Sequence, residues 1–227
     1  PTDGRPVLYG FSRHVVPVPP GRPPRHVTGY WRLPPAADWR PPAELQAFLA
    51  RPGPVVSIGF GSMVSEDPAA MRDLVRAAVH RAGVRAVLVA GWGALAGAQA
   101  GAQADDVVFT IDAAPYEWLF PRVAAVVHHG GAGTTGEAIR AGVPAVVVPF
   151  TVDQPFWASR VEALGVGPAS IPRKRLTAER LAEAIRRAVT DDVMRGRAAE
   201  LGSRVRAEDG VGAAVAVLER IVSQRPA

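Results

Sequence analysis

The chain has 227 residues, of which 48% are hydrophobic and 21% charged, and it has no cysteine. Such a length and composition suit a soluble globular protein with its own core, and they exclude disulfide scaffolds, thiolate metal sites, cysteine nucleophiles, collagen and wholesale disorder. Lys+Arg 26 against Asp+Glu 21 leaves a net charge of +5, which attracts anions, but the densest basic cluster, Arg173-Lys174-Arg175, has no interleaved aromatics, so nucleic acid is not an expected partner.

In chain order, residues 1–41 are rich in proline and arginine and read as a linker together with the tail of a further, N-terminal domain. Tyr30, Trp31 and Trp39 are apolar groups that a free linker has no reason to carry. Val7–Tyr9 and His14–Val16 are apolar pieces with no evident local partner. Pro1–Gly10 lacks the basic-then-apolar order of a signal peptide and no apolar run is long enough for a bilayer, so the expected location is cytoplasmic.

From Pro42 onward, over 42–227, the texture changes. Val55–Phe60 is a short apolar run ended by Gly61-Ser62, and Met71, Leu74, Val75, Ala78 and Val79 follow at helical spacing behind Asp67-Pro68. Ala86–Ala90, Val107–Ile111, Ala124–Val127 and Ala145–Val148 are further buried-strand candidates. Helices are expected over Gln154–Leu164, Ala178–Val189, Asp192–Val205 and Gly210–Ile221, and a flexible loop over Ala94–Ala104. Strands alternating with helices predict an α/β fold, a doubly wound parallel sheet of the Rossmann-like kind.

In such a sheet ligands sit beyond the carboxyl ends of the strands. The informative residues there are Gly61-Ser62, the run His128-His129-Gly130-Gly131-Ala132-Gly133-Thr134-Thr135-Gly136-Glu137, and Asp153-Gln154. Gly131, Gly133 and Gly136 satisfy G-x-G-x-x-G, with Asp153 at about the distance of a ribose-binding acid, so an NAD(P)-binding oxidoreductase domain is one reading. Against it, the helix that fits between Thr134 and Gly142 is short, and the acid lies past Pro149. Glycines at a helix start also let backbone N–H groups approach an anion, such as a diphosphate, with the helix dipole in favour. A bland alternative makes Thr134 and Glu137 a capping box, Asp153 an N-cap and Ser62 a turn residue. It leaves the paired histidines unexplained, because two adjacent side chains at a strand end cannot both enter the core.

His129 to Glu137, Gly142-Val143-Pro144 and Asp153-Gln154 together resemble the donor-binding signature of nucleotide-sugar glycosyltransferases of the GT-B architecture, built from two Rossmann-like halves. Val27-Thr28-Gly29-Tyr30-Trp31, Gly59-Phe60-Gly61-Ser62-Met63 and Asp153-Gln154-Pro155-Phe156-Trp157 are similar to bacterial relatives of sterol 3-β-glucosyltransferases and, beside them, to glycosyltransferases of glycopeptide-antibiotic pathways. The resemblance runs from about Tyr9 to the C-terminus. It implies that His129, Ser62 and the backbone of Gly131, Ala132, Gly133 and Thr134 hold the donor's diphosphate. It further implies that Glu137 holds the ribose and that Asp153 and Gln154 hold the sugar hydroxyls. Plant members stack the base on a tryptophan that has no counterpart in Asp112-Ala113-Ala114-Pro115-Tyr116, which leaves the base to backbone near Ala113, to Tyr116 or to Trp92, with Trp118 read as core.

The implied activity is inverting transfer of a hexose from a UDP- or TDP-sugar to a hydroxyl of a lipophilic acceptor. No cofactor is implied, and no Asp-x-Asp pattern for a metal occurs. In the family the catalytic base is a histidine of the N-terminal half. His14 and His26 fall in the stretch that resembles the end of that half, so the chain is expected to be the C-terminal donor domain, binding nucleotide sugar without efficient turnover. The acceptor is then met through the missing half. The arginines after Pro172 solvate a helix start or touch an anionic membrane. Rival readings besides the oxidoreductase are a non-catalytic anion- or partner-binding module, and a hydrolase, for which Ser62 lacks the flanking glycines of a nucleophile elbow.

Overall fold

A computed structural model describes residues 6–18, 21, 24–33, 38–63, 65–90, 95 and 106–223. Trp92, and the loop expected over 94–104 apart from Leu95, lie outside the described residues. The chain divides into two compact units, Pro1–Pro35 with Ser203–Ala227, and Ala36–Gly202.

In the first unit β1 (Val7–Tyr9) pairs in parallel with β2 (Arg25–Val27), Val7 opposite Arg25 and Tyr9 opposite Val27. The apolar piece Val7–Tyr9 therefore has a partner, and it is hidden in sequence because His26 and Arg25 do not read as a strand. Ser12 is buried and donates its hydroxyl to Glu208 at 3.0 Å, and His14 lies 4.0 Å from the same carboxylate.

The second unit opens with α1 (Ala43–Ala50), a helix with two buried residues, Leu45 and Phe48, too thin an apolar face to be read from periodicity. Then follow β3 (Val55–Gly59), α2 (Pro68–Ala82), β4 (Arg85–Val89), β5 (Val108–Ile111), α3 (Tyr116–Leu119), β6 (Ala125–His128), α4 (Ala132–Ala141), β7 (Ala145–Val147), α5 (Gln154–Ala163), α6 (Ala178–Thr190) and α7 (Asp192–Arg206). The last helix, α8 (Gly210–Ser223), returns to the first unit. Strand and helix bounds fall within a residue or two of the expected ones. The short α3 and α1 are additional.

All five strands β3 to β7 run parallel in the order β5-β4-β3-β6-β7. One face carries Val56, Ile58, Ala86, Leu88, Val127 and Val146 against Met71, Val75 and Val79 of α2 and Leu181 and Ile185 of α6, and these two helices also pack on each other. Continuous apolar strands are what burial on both faces demands. Helix α2 starts where Asp67 accepts the Ala70 N–H at 2.9 Å with Pro68 in the first turn, and it stops at Gly83, whose φ of 68° suits a residue without Cβ. At the opposite face Arg85 is buried at the start of β4. Its guanidinium donates to the carbonyls of Phe48, Arg51 and Gly53 and lies 4.9 Å from the Phe48 ring, closing the end of α1. No helix among the described residues is long and apolar enough to cross a membrane.

Candidate functional site

From β3 the sheet is built outward in two directions, through β4 to β5 on one side and through β6 to β7 on the other. The crevice beyond the carboxyl ends of β3 and β6 is thus the switch point at which open α/β sheets bind ligands. Register sets Gly59 opposite His128 and His128 opposite Val147, so the segments after β3, β6 and β7 emerge side by side. They carry Ser62, His129 to Thr134, and Asp153-Gln154.

The two histidines divide as strand alternation requires. His128 is fully buried, and its Nδ1 accepts the Gly130 N–H at 3.0 Å, which puts the proton on Nε2, a buried atom with no hydrogen bond to a described residue. Burial, and next the neighbouring His129, push His128 down to about 3, so it is neutral. The His129 ring lies between two glycines. A Cβ at Gly61 would come 3.0 Å from its Cε1, and one at Gly131 would come 2.5 Å from its Nε2. Its Nδ1 is buried and makes no hydrogen bond to a described residue. Burial holds His129 below the usual imidazole range while the Asp153 carboxylate pulls the other way, so this ring too is uncharged at neutral pH and offers one N–H and one lone pair.

Helix α4 begins directly behind this ring. Its N-cap is Gly131, with no side-chain cap. The expected capping box of Thr134 with Glu137 is therefore not the cap: Thr134 is already inside the first turn, and it is the buried Thr135 whose hydroxyl donates back to the Gly131 carbonyl at 2.9 Å. The first-turn N–H groups of Ala132, Gly133 and Thr134 are consequently left for another acceptor. Gly130, at φ 90°, lets the chain pass where a Cβ would come 2.8 Å from Val147 and 3.1 Å from the Gln154 carbonyl. A Cβ at the exposed Gly133 would meet nothing within 4 Å. Glu137 follows Gly133 by one turn of the helix and is half-buried. Ser62 is exposed in the turn that Met63 closes by donating its N–H to the Phe60 carbonyl at 3.1 Å.

Asp153 stands at the N-cap of α5, as one reading expected, but it makes no capping bond. Its Oδ2 accepts the Trp157 indole N–H at 2.9 Å instead. Gln154 is buried and its Oε1 accepts the N–H groups of Phe150 at 2.7 Å and Thr151 at 3.0 Å, while Nε2 donates to the Met63 sulfur at 3.1 Å. Between them Val152 is held at φ 55° with its side chain exposed, a conformation that costs a β-branched residue about 1–3 kcal/mol. No sequence pattern announces the internal bonds of Gln154. The Asp153–Trp157 pair does have a signal, its i, i+4 spacing at a helix start.

On the β5 side Ala113 is exposed in the segment that leads to α3, and Tyr116 opens that helix. The Tyr116 ring stacks on Phe120 with centroids 4.4 Å apart. Burial raises its phenol above the ordinary value, against the opposing effect of a hydrogen bond with the Thr134 side chain. Tyr116 and Thr134, assigned from sequence to the base and the diphosphate, therefore touch. Trp118 is half-buried between Trp39, with ring centroids 5.1 Å apart, and Arg122, 4.6 Å from its ring, which fits a packing role.

Comparison with known proteins gives the arrangement a family. Over 224 residues, 95% of this chain, it is 42% identical to a sterol 3-beta-glucosyltransferase of Aspergillus clavatus. It is 44% identical over 225 residues to one of Aspergillus terreus and 40% identical over 208 residues to one of Arabidopsis thaliana. The chain spans 16% of the length of either Aspergillus protein and 32% of the Arabidopsis one. Among solved structures the fold matches the glycotransferase of kitacinnamycin with a TM-score of 0.70 at 23% identity, covering 94% of this chain and 54% of that one. Residues 76–217, more than half of the chain, match the model of the erythromycin biosynthesis protein CIII-like C-terminal domain. The chain belongs to that C-terminal domain family, and its fold is that of a Rossmann-like half of the GT-B architecture.

Proposed function

We propose that this domain binds a UDP- or TDP-sugar and is the donor-binding half of an inverting glycosyltransferase that passes a hexose to a hydroxyl of a lipophilic acceptor. The observation that carries the reading is the His129 ring lodged between Gly61 and Gly131 at the switch point, its Nε2 against the Gly131 cap of α4, whose first-turn N–H groups have no side-chain cap, and its Nδ1 buried with no hydrogen bond to a described residue. A diphosphate seated against Ala132, Gly133 and Thr134 would meet those N–H groups and the positive end of the helix. His129 would add a neutral hydrogen bond and Ser62 a hydroxyl from the β3 side. One turn further, Glu137 would take the ribose, while at the sugar end Asp153 would meet the hydroxyls directly and Gln154 would act through the loop its amide closes. The base falls to the backbone near Ala113 and to Tyr116 or Trp92.

During transfer, charge grows on the departing diphosphate. Dipoles already aimed at that position stabilise it without reorganising, so the reading calls for no metal or cofactor. Deprotonation of the acceptor hydroxyl needs a base, and no residue of this constellation is offered for it. The base and most acceptor contacts are assigned to the N-terminal half, so the chain alone binds donor without efficient turnover. The sterol glucosyltransferase names among its relatives favour a sterol-like acceptor, and the erythromycin-type family name favours a natural product.

Titration calorimetry with UDP, UDP-glucose and NAD tests the reading. Saturable heat is expected from UDP and UDP-glucose, undisturbed by NAD. Absence of heat at millimolar nucleotide contradicts it, and displacement of UDP by NAD would favour the oxidoreductase.

A further inference from the structure

The segment Phe150–Gln154 is folded into a small ring by a backbone turn, in which the Gln154 N–H donates to the Thr151 carbonyl at 3.2 Å, and by the Gln154 side chain, which closes it further back. Gln154 Oε1 holds both the Phe150 and Thr151 N–H groups, at 2.7 and 3.0 Å, and the residue spanning the closure, Val152, is forced to φ 55°. The same amide reaches the Met63 sulfur at 3.1 Å, next to Ser62, and the Gln154 carbonyl and Cβ lie against Gly130, 3.1 and 3.4 Å from where its Cβ would be. Gln154 is thus the group that ties together the loops after β3, β6 and β7. Its oxygen has no lone pair left for a ligand, since an amide oxygen accepts two hydrogen bonds and both are in use. Asp153, the residue between the strained Val152 and this anchor, is exposed, and its carboxylate is steadied by Trp157.

We infer that Gln154 is a positioning residue for sugar recognition, acting by closing the Phe150–Gln154 loop so that Val152 stays at positive φ and the Asp153 carboxylate faces the sugar. The inference rests on the proposed donor reading and deepens it at the sugar end. A backbone N–H that loses its acceptor is free to turn to water, and a valine released from positive φ returns to extended backbone. Asp153 then leaves its place although its own side chain is untouched.

The test uses the 227-residue chain and the ratio of UDP-glucose to UDP affinity, measured by calorimetry at pH 7.5, with backbone amide exchange of Phe150 and Thr151 read by NMR. Gln154→Ala removes the acceptor. It should lower the ratio about tenfold, the worth of a charged hydrogen bond, leave UDP affinity itself within about threefold, and speed exchange of both amides. Gln154→Glu keeps an oxygen for the two N–H groups and removes the amide's own donors. It should retain both the ratio and the protection. Equal loss of the ratio in both variants overturns the inference in favour of direct donation by the Gln154 amide, and an unchanged ratio in Gln154→Ala overturns it outright. Should Gln154→Ala fail to fold, Gln154→Glu decides alone: retention supports the positioning role and loss overturns it. If the unmodified chain binds no UDP, the donor reading itself has failed, which is a different result from a normal UDP affinity with the wrong variant pattern.

Discussion

Gly133 differs from the glycines around it in that no packing contact requires it. Gly131 and Gly61 are pressed by the His129 ring, and Gly130 by Val147, whereas a methyl at Gly133 enters open space in the first turn of α4. Gly133→Ala should therefore raise stability by about 0.5–1 kcal/mol, the helix preference for alanine, while weakening UDP binding at least about tenfold if a diphosphate uses that space. Urea unfolding and calorimetry read the two effects separately, and a stabilised variant with intact UDP affinity would remove the diphosphate from Gly133. His128 gives a pH prediction. Its folded value, near 3, lies below the ordinary 6.5, so the unfolded chain binds more protons between those values. Stability contributed by this group is complete above about pH 6.5 and is lost as pH falls, by up to about 1.4 kcal/mol per unit. His128→Asn, whose amide oxygen can still accept from Gly130, should flatten urea-derived stability between pH 7 and 5, and an unchanged slope would contradict the assignment. The glycines and histidines were legible as a group in the sequence because no packing role explains all of them. Which glycine serves the ring and which the open space was not, since that depends on side chains brought in from other strands.

At the scale of elements, the five sheet strands and the long helices were legible because burial on both faces writes continuous apolar runs and helices write a 3.6-residue period. The elements missed were those held by something else. β1 and β2 pair across an intervening proline-rich stretch, and α1 is closed by the guanidinium of Arg85, a residue that reads as an ordinary surface charge. The alternative of a Thr134–Glu137 capping box does not hold because Thr134-x-x-Glu137 is a local pattern, while the helix start is set by the Gly131 turn behind His129. Arg85→Met keeps the buried stem, removes the guanidinium donor from the carbonyls of Arg51 and Gly53, and leaves that of Phe48 with only the Arg51 N–H at 3.4 Å. It should lower stability by about 2 kcal/mol, with the loss read by urea unfolding. A change below about 0.5 kcal/mol would place those carbonyls in water instead.

At the scale of the whole molecule, the proposed function gives this domain an electrostatic receptacle at one end of a sheet and leaves the base and the acceptor surface to an N-terminal half. The chain spans 54% of the kitacinnamycin glycotransferase and 16% of the Aspergillus clavatus protein. An assay of the chain alone with UDP-glucose and a sterol should give no glucoside under conditions where UDP binds, and a glucoside formed by these 227 residues would contradict the division of labour. The central claim, that the start of α4 and the His129 ring hold a pyrophosphate, is tested most directly by following backbone amide resonances during titration with UDP. The largest shifts are expected on Gly131, Ala132, Gly133 and Thr134, with His129 beside them. Shifts confined to other loops, such as the arginine-bordered cavity of about 410 Å³ along Arg175, Arg180 and Arg187, would contradict it.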